Sequence, residues 1–170
     1  MEADLSFDET YEVVFPIIYR YVAIRVPKLD VEDVSAEIIV KVWRGLPDIE
    51  KKDALKAWAL KIAAHQIVDY YRRHKRTTTI TLEEIPKPLP QELDQSETWA
   101  TLLSVGEALA KLTPQQVSVI HLRLIEGFTA GEVADILGTT HQAVDSLLYR
   151  AKKGFRKIYQ GNLDKGGGRG

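Results

Sequence analysis

The alternation of apolar and polar residues near the end of the chain predicts two helices joined by a very short turn. Thr129 and Glu132 form a capping box at the start of the first helix. Val133 and Ile136 are its apolar positions, and Gly138 ends it. The second helix runs from about residue 141 to about 159, and its apolar positions are Val144, Leu147, Leu148, Ala151, Phe155 and Ile158. The short turn forces the helices to cross steeply, which predicts a helix-turn-helix.

The opposite face of that second helix indicates contact with duplex DNA. Polar side chains come first and cations follow, an order that suits a helix entering the major groove by its N-terminal end while Arg and Lys hold phosphates. The alternative is a solvated amphipathic helix whose cations only aid solubility. The candidate DNA-binding residues are His141, Gln142, Ser146, Tyr149, Arg150, Lys153 and Arg156.

A further helix is predicted just before this motif. Thr113 offers a capping hydroxyl, and Gln116 follows three residues later. Gly127 is expected to end the helix. Its apolar stripe is Val117, Ile120 and Leu124.

Three helical segments are predicted in the first 76 residues. Ser6 and Glu9 open the first, and Pro16 should kink or divide it. Asp30 caps the second, which runs to about Leu46. The outer side of the second helix carries Asp33, Glu37, Val40, Lys41 and Arg44. Such a mixed-charge stripe with an apolar residue in its middle is typical of a protein-docking surface, and a plain solvent-facing side explains it equally well.

The third segment, from residue 55 to about 76, carries two apolar stripes, whereas a helix of a monomeric domain needs one. The expected core face is Ala57, Leu60, Ala64, Ile67, Val68 and Tyr71, and the opposite side is Trp58, Ile62, His65 and Asp69. The helix ends in aromatic residues followed by a cationic run at 70–76. Aromatic faces beside cations bind unstacked bases. Alternatively, Trp58 packs under a neighbouring helix and the cations solubilise the helix end.

Composition and charge divide the chain into parts. The 170 residues are 45% hydrophobic and 28% charged, without cysteine and without a long uncharged apolar stretch, so we expect a cytoplasmic protein without membrane insertion. The net charge of −1 conceals a neutral segment at 1–76, a proline-rich segment of −4 at 77–98 and a remainder of +3. We therefore predict an all-α chain of two small helical domains, 1–76 and 99–159, joined by an extended acidic linker at 77–98, with a disordered tail at 160–170.

The order of these segments resembles the bacterial sigma factors, specifically the compact extracytoplasmic-function group that has only the second and fourth conserved regions. The resemblance covers nearly the whole chain. It is carried by DVEDVSAEIIVKVWR at 30–44, WALKIA at 58–63, DYYRR at 69–73, LTP at 112–114, and EGFT at 126–129 with the helix-turn-helix.

The resemblance implies a promoter-specificity subunit that binds core RNA polymerase and promoter DNA, often with an inhibitory anti-sigma partner. Region two, at 1–76, would bind core polymerase through Asp33, Glu37, Val40, Lys41 and Arg44. It would recognise and melt the minus-ten element through Trp58, His65, Arg72, Arg73, Lys75 and Arg76. Region four, at 99–159, would recognise the minus-thirty-five element with the helix that begins near residue 141.

The chain departs from the family pattern at three positions. His65 stands where the family commonly has asparagine, and Ala36 where it commonly has glutamine. Asp145 occupies a position of the recognition helix that is often basic. A carboxylate there either repels phosphate or accepts a hydrogen bond from a cytosine amino group.

Other functions fit the sequence less well. The four histidines show no metal-ligand spacing with carboxylates and no glycine loop would cradle a phosphate, so we expect neither an enzyme nor a cofactor or metal site. A stand-alone regulator with an N-terminal sensing or dimerisation domain has no evident use for the second stripe or the acidic connector. An adaptor that binds polymerase without contacting DNA does not explain the outward cations of the last helix.

Overall fold

The structure, a computed structural model, describes residues 6–74 and 97–166. Most of the predicted linker, together with the candidate residues Lys75 and Arg76, lies outside the described residues. Within the described ranges the regular elements are all helical, which confirms the all-α prediction. The helices are α1 (Phe7–Ala23), α2 (Val31–Gly45), α3 (Leu55–His74), α4 (Glu97–Ala110), α5 (Pro114–Ile120), α6 (Ala130–Leu137) and α7 (His141–Gly166).

The predicted helix ends are confirmed where the capping chemistry is local. Ser6 and Thr113 each accept a hydrogen bond from the backbone N–H three residues on, and so does Thr129 at the start of α6. Gly127 and Gly138 have φ values of 78° and 66°, a left-handed conformation that side chains with a Cβ rarely adopt. These caps fix where the helices of the predicted helix-turn-helix begin and end.

Pro16 does not divide α1, which runs as one helix from Phe7 to Ala23 although proline lacks a backbone donor. The expected cap at the start of α2 is wrong. Asp30 precedes α2 but makes no side-chain capping hydrogen bond. Its carboxylate instead accepts a hydrogen bond from the hydroxyl of Tyr70 on α3. A cap that looked local therefore ties two helices together.

The last helix is longer than predicted. We expected it to end near Tyr159 and the tail to be disordered, yet α7 continues to Gly166. The additional turns lie against α4, where Asn162 Nδ2 donates to Glu107 Oε2 at 3.1 Å. This tertiary contact stabilises a segment whose own sequence carries only a weak helical pattern. The helix α4 begins at Glu97, two residues before the predicted start of the second domain at residue 99.

A π-helical turn changes which residues face inward after α5. Over His121–Ile125 the backbone hydrogen bonds join residues five positions apart, instead of the four of an α-helix. One of them runs from Glu126 N to His121 O at 3.0 Å. The extra residue rotates the rest of the turn about the helix axis, so Leu122 is fully buried and Leu124 is 54% exposed. The expected stripe is therefore wrong at Leu124.

The core face of α3 also differs from the prediction. Its buried residues are Leu55, Ala59, Leu60, Ala63, Gln66, Ile67 and Tyr70. Val68, expected in the core, is 57% exposed. Because α3 packs against α1 and α2 and also against α6, its buried surface spans more than one stripe, and Val68 lies outside that surface. The second stripe noted in the sequence is thus partly used within the chain.

The indole of Trp58 occupies space beside the end of α2. A Cβ placed on Gly45 would lie 2.8 Å from Cζ2 of Trp58, closer than such atoms approach in proteins. Glycine at this position therefore allows the ring to lie against the α2 backbone, and Trp58 is half-buried. The alternative in which Trp58 packs under a neighbouring helix is correct for this part of the ring.

We expect Gly45→Ala to destabilise the protein by about 1 to 3 kcal/mol, because the new methyl group must displace the Trp58 ring or the helix backbone. Thermal unfolding followed by circular dichroism measures the effect. Gly131→Ala is the matched control: its nearest neighbouring atom would be 4.0 Å away, and the change should be neutral or stabilise by up to about 1 kcal/mol. Equal stability of the Gly45→Ala and wild-type proteins would contradict the contact.

Candidate nucleic-acid interface

The outer face of α7 presents the predicted DNA-binding residues together. All seven, from His141 to Arg156, are exposed, and Tyr149 at 68% exposure is the most prominent aromatic side chain among them. Fifteen residues of helix place the first and last of them about 22 Å apart along the axis. The inward positions Val144, Leu148 and Ala151 are buried, as predicted. The arrangement can contact several base pairs and the flanking phosphates, and the individual contacts stay predictions.

Asp145 has a partner on its own helix. Its Oδ2 lies 3.3 Å from Nδ1 of His141, one turn earlier, and both side chains are more than half exposed. Exposed pairs of this kind contribute little to stability because water screens them. The pair places a carboxylate at the end of α7 that we predict to approach DNA.

Three of the residues predicted to contact the minus-ten element lie on one line of α3. Trp58, His65 and Arg72 are spaced seven residues apart, which places them on the same face of the helix. His65 and Arg72 are exposed, and Arg72 Nη1 lies 3.5 Å from Asp69 Oδ1. Arg73 points toward α2, where its Nη2 is 3.6 Å from Glu37 Oε2. The structure therefore separates Arg73 from the line that Trp58 begins.

The tyrosines at the end of α3 have structural roles. Tyr70 is 3% exposed and its hydroxyl donates to Asp30. The hydroxyl of Tyr71 donates to the backbone oxygen of Arg25 at the end of α1. His74 stacks on Tyr70 with ring centroids 4.1 Å apart. The expectation that aromatic faces here receive bases is therefore wrong for Tyr70, whose ring is covered.

The mixed-charge stripe of α2 borders a groove of about 750 Å³ between α2 and α3. Every member of the stripe, including Asp33 near the start of the helix, is exposed. The groove joins two groups of residues that the sequence assigned to different partners, the α2 stripe and the end of α3. Its lining comprises Ala36, Glu37, Val40, Lys41, Arg44, Gln66, Asp69, Arg72 and Arg73.

Gln66 organises this groove and was missed in the sequence. It is 3% exposed, its Nε2 donates to Glu37 Oε2 at 2.6 Å, and its Oε1 accepts a hydrogen bond from Lys41 Nζ. One buried amide thereby holds a carboxylate and an ammonium of the α2 stripe in fixed places. The predicted core face passed through Ala64 and Ile67, so nothing in the sequence indicated that Gln66 would be buried and would need hydrogen-bonding partners.

The described residues contain no cluster of three or more histidine and carboxylate side chains that could bind a metal ion. Among the helices that the structure describes, none is long and apolar enough to span a membrane.

Comparison with known proteins identifies matches to both halves of the chain. Residues 7–77 match Sigma-70 region 2 and residues 102–153 match Sigma-70, region 4. The ECF RNA polymerase sigma factor ShbA of Streptomyces griseus is 30% identical, over 85% of this chain and 83% of its own length. The ECF RNA polymerase sigma factor BldN of Streptomyces coelicolor is 27% identical over 92% of this chain, which spans 61% of BldN.

A solved structure of a sigma factor has the same fold. The sigma factor RpoE from Bartonella quintana, in complex with the anti-sigma factor NepR, superposes with a TM-score of 0.74 at 20% identity. The match covers 91% of this chain and 96% of that chain. The fold of the described helices is therefore shared across both halves.

We expect Asp145→Asn to raise affinity for random-sequence duplex DNA about twofold to fivefold, because it removes a carboxylate that repels phosphate at the end of α7. Fluorescence anisotropy at two salt concentrations measures the change. Asp164→Asn, the same substitution 19 residues and about 28 Å further along α7, is the matched control and should change little. A loss of affinity in Asp145→Asn would contradict the repulsion of phosphate by this carboxylate.

Proposed function

The chain belongs to the extracytoplasmic-function sigma factors, and we propose that it directs core RNA polymerase to promoters by holding the enzyme and two DNA elements at once. The observation that carries the proposal is the presence of both conserved regions, in the family's order, in one chain. A stand-alone regulator would need only the helix-turn-helix. The comparisons support the sigma factor over that alternative.

The groove between α2 and α3 is the proposed contact for core polymerase. Its rim alternates acidic and basic groups around the exposed apolar side chain of Val40, which suits a partner surface of mixed charge. Gln66 fixes Glu37 and Lys41 before the partner arrives, so less side-chain freedom is lost on binding. Asp33 and Arg44 extend the same contact along α2.

The promoter would be held at two points. In region four, the exposed face of α7 would enter the major groove at the minus-thirty-five element, with Gln142 and Ser146 near bases and Lys153 and Arg156 near phosphates. In region two, the line on α3 that includes His65 would contact separated strands at the minus-ten element. Strand separation of this kind needs binding energy and no catalytic group.

The remaining parts of the proposal concern partners and location. RpoE was solved with an anti-sigma factor, and we propose that a protein inhibitor also binds this chain. We place the protein in the cytoplasm, on the nucleoid, because its proposed partners are polymerase and promoter DNA.

The purified chain should co-elute with core polymerase and start transcription in run-off assays on genomic fragments. Gln66→Leu should weaken binding to core by about fivefold to tenfold, because Glu37 and Lys41 lose the amide that fixes them. Val68→Ala, on an exposed part of the same helix, is the control and should bind normally. Failure of the wild-type chain to co-elute with core would disprove the proposed function.

Two exposed residues should separate the promoter contacts. Lys153→Ala should weaken binding to all duplexes and reduce the slope of log affinity against log salt by about 0.9, the value for one lost phosphate contact. His65→Ala should leave duplex binding unchanged and reduce strand opening, measured by the permanganate reactivity of unpaired thymines. Because Trp58 also packs against Gly45, His65 is the cleaner probe. Normal opening by His65→Ala would refute the assignment of this face.

A further inference from the structure

Four aromatic side chains form a continuous row along α1. The row consists of Phe7, Tyr11, Phe15 and Tyr19. The interval of four residues places each ring one turn after the last on the same side of the helix, and neighbouring ring centroids lie 5.8, 4.8 and 5.7 Å apart. Between the first and the last of these residues the helix axis rises about 18 Å. The row therefore has the length of about three helical turns, which suits contact with another helix.

The row continues onto α2 at its first residue. The Trp43 ring meets the Phe7 ring edge to face, with centroids 4.9 Å apart. Phe7, Tyr11 and Trp43 are 46%, 39% and 43% exposed, and the last two rings of the row are half-buried. We call the four residues of the row, together with Trp43, the aromatic surface. Aromatic side chains contribute strongly to protein interfaces, so a contiguous set of them facing water indicates a binding surface.

A narrow cleft beneath the aromatic surface contains a buried hydroxyl. Phe7 and Trp43 line this cleft together with Ile39 and Thr10. Thr10 is 4% exposed, and among the described residues its Oγ1 has no hydrogen-bond partner. Leaving a buried hydroxyl unpaired is unfavourable, so a polar group that entered the cleft would be stabilised there. The cleft holds only about 10 Å³, roughly one water molecule, so the bulk of an occupant must lie across the rings.

Carboxylates border the aromatic surface. Asp8 and Glu12 each directly follow a residue of the row on α1, and both are exposed. On α2 the exposed Glu32 lies seven residues before Ile39 and therefore on the same face of that helix. None of these three carboxylates forms an ion pair with another described residue, whereas Arg20, the one cation of α1, is already paired. The surroundings of the rings therefore attract cations and repel phosphate.

The aromatic surface is separate from the surfaces assigned to polymerase and promoter. It lies along the seam of α1 and α2, whereas the groove assigned to polymerase lies between α2 and α3. The minus-ten line is on α3, and the residues assigned to the minus-thirty-five element are on α7. An occupant of the aromatic surface therefore leaves these other surfaces uncovered.

We propose that the aromatic surface binds a basic amphipathic helix of a partner protein, and that it does so while the groove and α7 stay free for polymerase and DNA. The apolar side of such a helix would cover the rings, and its Lys and Arg side chains would pair with Asp8, Glu12 and Glu32. Binding at the same time as polymerase rests on the proposed function, but binding of the helix itself does not.

Two other occupants fit the aromatic surface less well. Bases of a single strand stack on aromatic rings, but their phosphates would meet the bordering carboxylates. A second copy of this chain would present the same surface across a two-fold axis, so it would bring two sets of unpaired carboxylates together. A basic helix of a partner protein satisfies both the rings and the carboxylates.

A pair of designed peptides tests the proposal on the full chain. Each is a fluorescent amphipathic helix of about 15 residues with leucine on one side, flanked by lysine in one peptide and by glutamate in the other. Fluorescence anisotropy should show at least tenfold tighter binding of the lysine peptide. Tyr11→Ala should weaken this binding about tenfold, whereas Val13→Ala, an equally exposed apolar residue on another side of α1, should not change it. Equal affinity for both peptides, or equal binding by both variants, would overturn the proposal.

A charge reversal tests the same surface without altering a ring. Glu12→Lys with Glu32→Lys should reverse the preference, so that the glutamate peptide binds more tightly, and an unchanged preference would overturn the proposal. Self-association of the wild-type chain that Tyr11→Ala abolishes, measured by sedimentation, would overturn it in favour of a second copy. Tyr11-dependent binding of oligothymidine would overturn it in favour of single-stranded DNA.

Core polymerase provides the last measurement. Excess core should leave the affinity for the lysine peptide unchanged within about twofold, because the two partners use different seams of region two. Displacement of the peptide by core would overturn the proposed separation of the two surfaces. If the wild-type chain did not bind core at all, the proposed function would be refuted, while binding of the peptides to the chain alone would still decide whether the aromatic surface takes a basic helix.

Discussion

The packing of α3 determines where the candidate binding residues of region two lie. This helix must cover α1 and α2 with one surface and α6 with another, so only narrow strips remain for contact with other molecules. One strip carries His65 and the other faces the groove through Gln66 and Arg73. The surfaces assigned to DNA and to polymerase are therefore neighbours on a single rigid element, and displacement of one moves the other.

The sequence predicted those features that depend on residues close in the chain. Capping boxes at Ser6, Thr113 and Thr129 require only a side chain and a backbone N–H three residues later, and Gly138 needs only its own conformational freedom. The outer face of α7 was predictable for the same reason, because helical spacing alone places its residues opposite the buried stripe.

The features that escaped prediction depend on distant partners. Asp30 was predicted to cap α2, but its carboxylate accepts a hydrogen bond from Tyr70, 40 positions later. The end of α7 was predicted to be disordered, but it packs against α4. Gln66 is a polar residue on a buried helix face, and a search for apolar spacing passes over such a residue. Its amide nevertheless hydrogen-bonds both Glu37 and Lys41 at the groove. Polar side chains in the interior were therefore the least predictable part of the candidate site, because their partners lie 25 or more positions away.

The π turn after α5 makes the spacing of residues as important as their identity. Glu126 follows His121 by five positions, which is the spacing of one π-helical turn. In this turn Oε1 of Glu126 lies 3.1 Å from Nε2 of His121, and it also lies 3.1 Å from Nε of Arg20. Deleting one residue between His121 and Glu126 would restore an ordinary α-helix and swing the carboxylate about 100° around the axis. In this segment a change in length would thus alter the behaviour of the protein while every interacting side chain was preserved.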